Sequence, residues 1–245
     1  MSKRIFDISI AMIGLLIFSP LMAFVSIVIF FQDFHSPFYI GQRIGRGGKT
    51  FRMIKFRSMI IYADKSGVDS TSSRDSRITG VGQWIRRYKI DELPQLFNVL
   101  KGDMSFVGPR PNVKRDVDLY TPIERKLLAT RPGITDFSSI VFSDEGEILK
   151  DSQDPDLDYN QLIRPWKSRL GIFYVENRSL LIDISLIIIT VVAIISKRRA
   201  TLLVSNILRK HQAESDLVDI SLRNAPLCPQ PPPGSTEIVS SRLSL

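Results

Sequence analysis

With one cysteine and two histidines in 245 residues, the chain lacks the side chains for several chemistries. Cys228 alone can neither close an intrachain disulfide nor build a thiolate zinc site. His35 and His211 do not supply a histidine-rich metal cage, so acid–base or nucleophilic work falls to Asp, Glu, Lys, Ser or Tyr. There is no internal repeat, and no recognisable nucleic-acid-binding motif accompanies the net charge of +8. A basic balance suits nucleic acid, anionic lipid or phosphorylated substrates and does not choose among them. The length allows one domain of ordinary size with appendages.

Charge is also missing from one long stretch. Ile8 to Phe31 carries none, and about 20 apolar residues suffice to cross a bilayer. No small-residue cleavage site follows, so the segment does not read as a signal peptide. A single-span anchor is the plain interpretation. Two features favour another. Pro20, preceded by Ser19, should kink or break the helix at its middle. Basic residues flank both ends: Lys3 and Arg4 before, and Arg43, Arg46, Lys49, Arg52, Lys55 and Arg57 after. The positive-inside rule then puts both ends in the cytoplasm. The expectation is a re-entrant helical hairpin over 1–34, hinged at Ser19 and Pro20.

The rest reads as an α/β body. Residues 38–59 alternate around a Gly-rich turn, the pattern of a β-hairpin. The string RIGRGGKT is a near miss for a phosphate-binding P-loop: Arg43 stands where the first glycine belongs, and the strand–loop–helix setting is absent. Residues 62–77 read as a polar loop, 81–88 and 90–100 as helices, and 114–130 as a further helical stretch. The acidic segment 143–158 reads as a solvated loop without calcium-loop spacing. The apolar run 179–196 is short for a span and contains Asp183, so it reads as an interfacial or core helix ending at Lys197, Arg198 and Arg199. From about Asn224 the composition is linker-like. The expected domains are 1–34, 35–200 and a partly disordered tail over 201–245.

The most informative run is RRYKIDELPQLFNVLKGDMSFVGPRP, residues 86–111. It sets Asp91 and Glu92 among Arg86, Arg87, Lys89, Lys101 and Arg110. Paired carboxylates among cations can hold a metal and a phosphate together. Pro94 suits a helix's first turn, placing the acids at its N-terminus, where amide donors favour anions. By local sequence alone, Asp91 as a helix cap and Glu92 as a first-turn acid is the readier reading; the surrounding cations and the motifs that follow reverse it.

Five motifs occur in order: KRIFDISIAMIGLLIFSP, KFRSM, IDELPQLFNVLKGDMSFVGPRP, RPGIT and YVENRSLLIDISLII. Together, over about residues 2–200, they resemble the monotopic phosphoglycosyl transferases, the bacterial sugar transferase family, in its minimal single-domain form. The resemblance implies a membrane-associated α/β fold with interfacial amphipathic helices, on the cytoplasmic face of the bacterial inner membrane. It implies transfer of a sugar 1-phosphate from a UDP-sugar to polyprenyl phosphate, with release of UMP, at the start of surface glycan assembly. Asp91 would be the nucleophile and Glu92 a Mg²⁺ ligand that also helps with the acceptor's proton. Lys55, Arg57, Arg110 and Arg131 would contact phosphates, and Ser19 and Pro20 match the helix break. A homodimer and other enzymes of the glycan pathway are compatible partners; nucleic acid is not expected.

The segment after Thr135 departs from the usual pattern. The sugar therefore stays open among galactose, glucose and amino sugars, as does the finished glycan. The competing class is a non-catalytic membrane scaffold for a glycan-assembly complex, which the intact acid pair disfavours.

Overall fold

The computed structural model describes residues 2–63 and 70–241, so the centre of the loop expected over 62–77 lies outside the described residues. The chain opens with α1 (Ser2–Asp33). A hairpin follows, formed by β1 (Phe38–Ile44) and β2 (Thr50–Phe56) in the expected place, antiparallel with Phe38 opposite Phe56 and Ile44 opposite Thr50. Gly47 and Gly48, both at positive φ, allow its tight tip. Next come α2 (Gly80–Arg87), a 3₁₀ turn over Ile90–Glu92, α3 (Gln95–Lys101) and β3 (Ser105–Val107). Then come α4 (Lys114–Asp118), β4 (Gly133–Thr135), α5 (Phe137–Val141), α6 (Glu145–Ile148) and α7 (Pro155–Asp158). The last elements are α8 (Arg164–Asn177), α9 (Leu180–Ile195), α10 (Lys197–Lys210) and α11 (Ser215–Leu222). The architecture is helix-rich and mixed, and β3 and β4 form a second, parallel pair.

At the hinge expected at Ser19 and Pro20 the helical backbone continues: α1 is helical on both sides and through the proline. Proline deletes the donor that would reach the carbonyl four residues back. Here that acceptor is Leu16, and the Ser19 hydroxyl donates to it at 3.0 Å. The serine thus replaces the lost hydrogen bond one position away.

Both halves of α1 are fastened to the same body. At the start, Lys3 pairs with Asp183 at 2.5 Å. Arg4 donates to the Val99 and Leu100 carbonyls at the end of α3. Ala11 is buried against Phe51, Met53, Val99 and Met104. In the second half, Met22, Val25 and Ile29 pack with Phe56 and Ile85, and Asp33 holds Arg57 through two bonds of 2.5 and 2.6 Å. Between these anchorages Leu16 to Pro20 are all exposed, more than a full helical turn. At 32 residues, α1 is about 48 Å long, and it is long and apolar enough to cross a membrane by length and composition.

The main core is built mainly by the later helices. Phe137, Ile140 and Val141 of α5 meet Leu170 and Tyr174 of α8, Leu186 of α9, and Ala200, Val204 and Leu208 of α10. Helix α9 is two-faced: Ile182, Asp183, Leu186 and Ile189 are buried, while Leu181, Ile188, Val191 and Ile195 are exposed.

Four further expectations are revised. The boundary near residue 200 falls inside α10, whose apolar face is core, and α11 adds Leu217 and Val218 to the same core. Residues beyond 224 lie on the body: Gln230 donates to the Gln161 carbonyl, and Thr121 and Arg169 donate to the Pro233 and Pro231 carbonyls. The helix expected over 114–130 stops at Asp118, because Pro122 cannot continue it, and resumes as a 3₁₀ segment over Glu124–Ala129. The acidic segment is folded rather than a solvated loop: Asp156 is buried, and Glu145 and Asp144 pair with Lys167 and Lys197.

Asp7 tests the docking of α1. It is 2 % exposed and accepts from Ser105 Oγ at 3.0 Å and Phe106 N at 3.2 Å. Asp7→Ala strands two donors, at a cost of about 2 to 3 kcal/mol. For a chain of this size that lowers Tm by roughly 4 to 10 °C. A thermal melt of the detergent-solubilised variant measures it, and an unchanged Tm would contradict the docking described.

Candidate active site

The acid pair is set by a short irregular segment. Helix α2 is capped by Thr79, whose hydroxyl accepts from Gly82 N at 2.9 Å, and it ends at Tyr88. Lys89 then takes a left-handed conformation, φ 58°. A non-glycine residue there carries strain of order 1 kcal/mol, of the kind found at functional sites. The chain turns through Ile90–Glu92 and enters α3 only at Gln95. The acids therefore do not cap a helix starting at residue 90, as the sequence had suggested. They form a 3₁₀ turn ahead of a short helix, and both are buried.

Two other segments converge on this turn. Strand β2 brings Lys55, whose register is fixed by Asn98 on α3. The Asn98 amide accepts from Ile54 N at 2.9 Å and donates to the Arg52 carbonyl at 2.7 Å. Arg110 follows β3 in the turn Gly108–Pro111. There the backbone passes so close to β4 that a Cβ on Gly108 would sit 2.3 Å from the Arg131 carbonyl oxygen, and one on Gly133 2.1 Å from Gly108 N. Only glycine fits at either position.

The resulting ion pairs are one-sided. Lys55 Nζ lies 3.1 Å and Arg110 Nη2 2.7 Å from the same oxygen, Oε1, of Glu92. Asp91 makes no hydrogen bond or ion pair with the described residues. The protonation behaviour follows. Burial pushes Glu92 up, but Arg110 and Lys55 outweigh it and hold the carboxyl well below its usual range. Glu92 in turn raises Arg110. Burial lowers Lys55, a shift that Glu92 only partly offsets. Asp91 is raised by burial, with Lys55 opposing and Glu92 adding to the rise. One acid is thus a fixed anion, and its neighbour is an unpaired carboxyl with elevated proton affinity.

Both acids line an open cleft of about 1140 Å³. Its walls carry Arg43, Arg86, Arg87, Lys89 and Arg110, a cationic surface suited to phosphate. Of the expected phosphate contacts, Lys55 and Arg110 meet at Glu92. Arg57 also lines the cleft, but its guanidinium is held by Asp33 and the Ser36 carbonyl. Arg131 does not line the cleft; its Nε donates to the Gly102 carbonyl at 2.8 Å, tying β4 to the end of α3. Ser19 and Pro20 lie outside the cleft, at the exposed middle of α1.

One part of the lining was not foreseen. It contains Glu145, Lys167 and Tyr159, with Lys167 paired to Glu145 and lying 5.3 Å from the Tyr159 ring centre. All three come from residues 145–167, where the sequence offered only acidity and no motif. Asn98 was equally silent, because its partners are backbone groups more than 40 residues away.

The asymmetry predicts opposite stability effects for the two acids. Asp91 has a folded pKa above its unfolded one, so its ionisation weakens the fold as pH rises through that range. Asp91→Asn should raise Tm at pH 8, with the gain shrinking toward pH 5. Glu92 has a depressed folded pKa, so its contribution is present above the unfolded value and is lost only in stronger acid. Glu92→Ala leaves Lys55 and the partly exposed Arg110 without their carboxylate and should lower Tm at neutral pH. Melts across that pH range decide; a lower Tm for Asp91→Asn at pH 8 would contradict the assignment.

Comparison with known proteins places the chain in a family. A family model described as bacterial sugar transferase matches residues 1–197. A putative undecaprenyl-phosphate N-acetylgalactosaminyl 1-phosphate transferase of Bacillus subtilis is 52 % identical over 109 residues, 44 % of this chain and 61 % of that protein. The UDP-N-acetylgalactosamine-undecaprenyl-phosphate N-acetylgalactosaminephosphotransferase of Aeromonas hydrophila is 34 % identical over 197 residues, 79 % of this chain and 44 % of that protein. The exopolysaccharide production protein ExoY of Sinorhizobium fredii is 34 % identical over 212 residues, covering 80 % and 87 % of the two chains. The chain thus spans about half the length of the first two relatives and most of the third. With the family match extending from the N-terminal helix through α9 to the start of α10, the chain belongs to the bacterial sugar transferase family.

Proposed function

We propose that the protein transfers a sugar 1-phosphate from a UDP-sugar to undecaprenyl phosphate, in two steps through a covalent bond to Asp91. The observation that carries the reading is the unpaired Asp91 carboxyl beside a Glu92 whose Oε1 is held by both Lys55 and Arg110, inside a cationic cleft. Relatives named as undecaprenyl-phosphate sugar phosphotransferases support the same reaction class.

In the first step an ionised Asp91 oxygen bonds to the phosphorus that bears the sugar. The bond from that phosphorus to the bridging oxygen breaks, and UMP leaves with the bridging oxygen. In the second step an oxygen of the lipid phosphate attacks the same phosphorus. The acyl–phosphate bond breaks, Asp91 regains its carboxylate, and a polyprenyl diphospho-sugar forms. Neither step is a redox change, and the two phosphates need not be bound together. Lys55 and Arg110 keep Glu92 ionised and add positive charge beside the transferring group.

Mg²⁺ belongs to this reading. Among the described residues no cluster of three or more His, Cys, Asp or Glu is suited to a metal. The fit is of another kind: Mg²⁺ commonly takes one or two carboxylates and completes its shell with phosphate and water. The uncommitted Oε2 of Glu92 offers such a ligand, and the bound ion would supply charge neutralisation at the diphosphate.

The membrane reading rests on α1. Both of its ends are tied to one body, and its middle, Leu16 to Pro20, is free on all sides. A helix whose axis bends at Pro20, entering and leaving the bilayer on the cytoplasmic face with Ser19 replacing the lost hydrogen bond near its deepest point, meets both facts. The exposed apolar side of α9 would rest on the same surface.

The test is UMP release by nanodisc-embedded protein supplied with Mg²⁺, undecaprenyl phosphate and a panel of UDP-sugars. The wild type should release UMP from one donor and Asp91→Asn should release none. Arg110→Ala should lose about 10²- to 10³-fold in kcat. Because Asp91 must be ionised and its pKa is raised, kcat/KM should climb tenfold per pH unit over an acid limb lying above the ordinary carboxylate range. Undiminished UMP release by Asp91→Asn would refute the nucleophile assignment.

A further inference from the structure

Gln95 and Asn98 lie three residues apart on α3, and each is 1 % exposed. Asn98 spends its amide on the β2 backbone at both ends. Gln95 does not: its Nε2 is buried with no acceptor, and its amide makes no hydrogen bond with any described residue. Buried side-chain amides are almost always satisfied, and an unsatisfied one costs stability that packing must offset. An orphan at this position, unmet by any described residue, suits a bound partner.

Its place says which partner. Gln95 lines the same cleft as Asp91 and Glu92. Leu93 and Pro94 keep helical dihedrals between the 3₁₀ turn and α3. Gln95 therefore stands four residues after Asp91 and three after Glu92 on one continuous helical path, where such spacings share a face. The cations of the cleft already balance charge. What a transferring phosphate gains from an amide is a neutral donor that takes an oxygen's new charge without disturbing the Glu92 pairs.

We propose that the Gln95 side-chain amide donates a hydrogen bond to a phosphate oxygen of the substrate bound over Asp91. This inference rests on the sugar-phosphate transfer proposed above. It makes Gln95 a substrate-contacting residue, unlike Asn98, which only sets the register of Lys55.

The experiment compares wild type with Gln95→Leu and Gln95→Met, reading Tm, kcat and the KM for each substrate in the UMP-release assay. Removing an unsatisfied buried amide should leave Tm unchanged or raise it, while kcat/KM falls about 10²- to 10³-fold. A rise in KM confined to the UDP-sugar would assign the bond to the donor diphosphate; one confined to undecaprenyl phosphate would assign it to the acceptor. Either supports the proposal. Wild-type kinetics in both variants would overturn it. So would a Tm loss of several degrees in both, with activity falling only as the folded fraction falls, since that marks a structural amide. A wild type that releases no UMP from any donor would instead overturn the transfer reaction itself, and the Gln95 assignment with it.

Discussion

Everything in the cleft depends on one interaction, the double pairing of Glu92 Oε1 with Lys55 and Arg110. It brings three distant pieces of chain to one oxygen: a hairpin strand, the turn between α2 and α3, and the turn after β3. Each piece has its own fastening. Asn98 fixes the strand, the left-handed Lys89 bends the chain into the turn, and the Gly108–Gly133 approach places Arg110. Two cations drawn onto one acid leave the other unpaired. Chemical difference between adjacent carboxylates thus arises from who their partners are, with burial common to both.

The same economy governs α1. An apolar helix of 32 residues could serve as a span, but its polar residues are not distributed like those of a simple anchor. Lys3, Arg4 and Asp7 at one end and Asp33 at the other are all committed to the folded body. Arg57 illustrates the consequence. Its motif suggests a phosphate contact, whereas its guanidinium is spent holding the end of α1. Arg131 likewise joins two elements of the body. Motif arginines here differ in their partners: Arg110 meets Glu92 in the cleft, while Arg57 and Arg131 tie elements of the body together.

What the sequence made legible were features with a local signature. The hairpin has period-two alternation, the apolar helix has its charge gap, and the acid pair has its cationic neighbours. The illegible features are non-local. Helix α1 stays unbroken because a serine hydroxyl meets one particular carbonyl. The acidic segment folds because Lys167 and Lys197 arrive from later helices. Helices α10 and α11 are core, not tail, because α5 and α8 leave an apolar surface for them. Gln95 stood in plain view inside the most informative motif, yet its lack of a partner is a property of the fold alone.

The most direct test of the division of labour between the acids is intact-mass and peptide mass spectrometry of protein mixed with a UDP-sugar and Mg²⁺, without lipid acceptor. The account predicts an adduct of one sugar phosphate, carried by Asp91 and discharged when undecaprenyl phosphate is added. An adduct on Glu92, or turnover with no adduct on either acid, would contradict it.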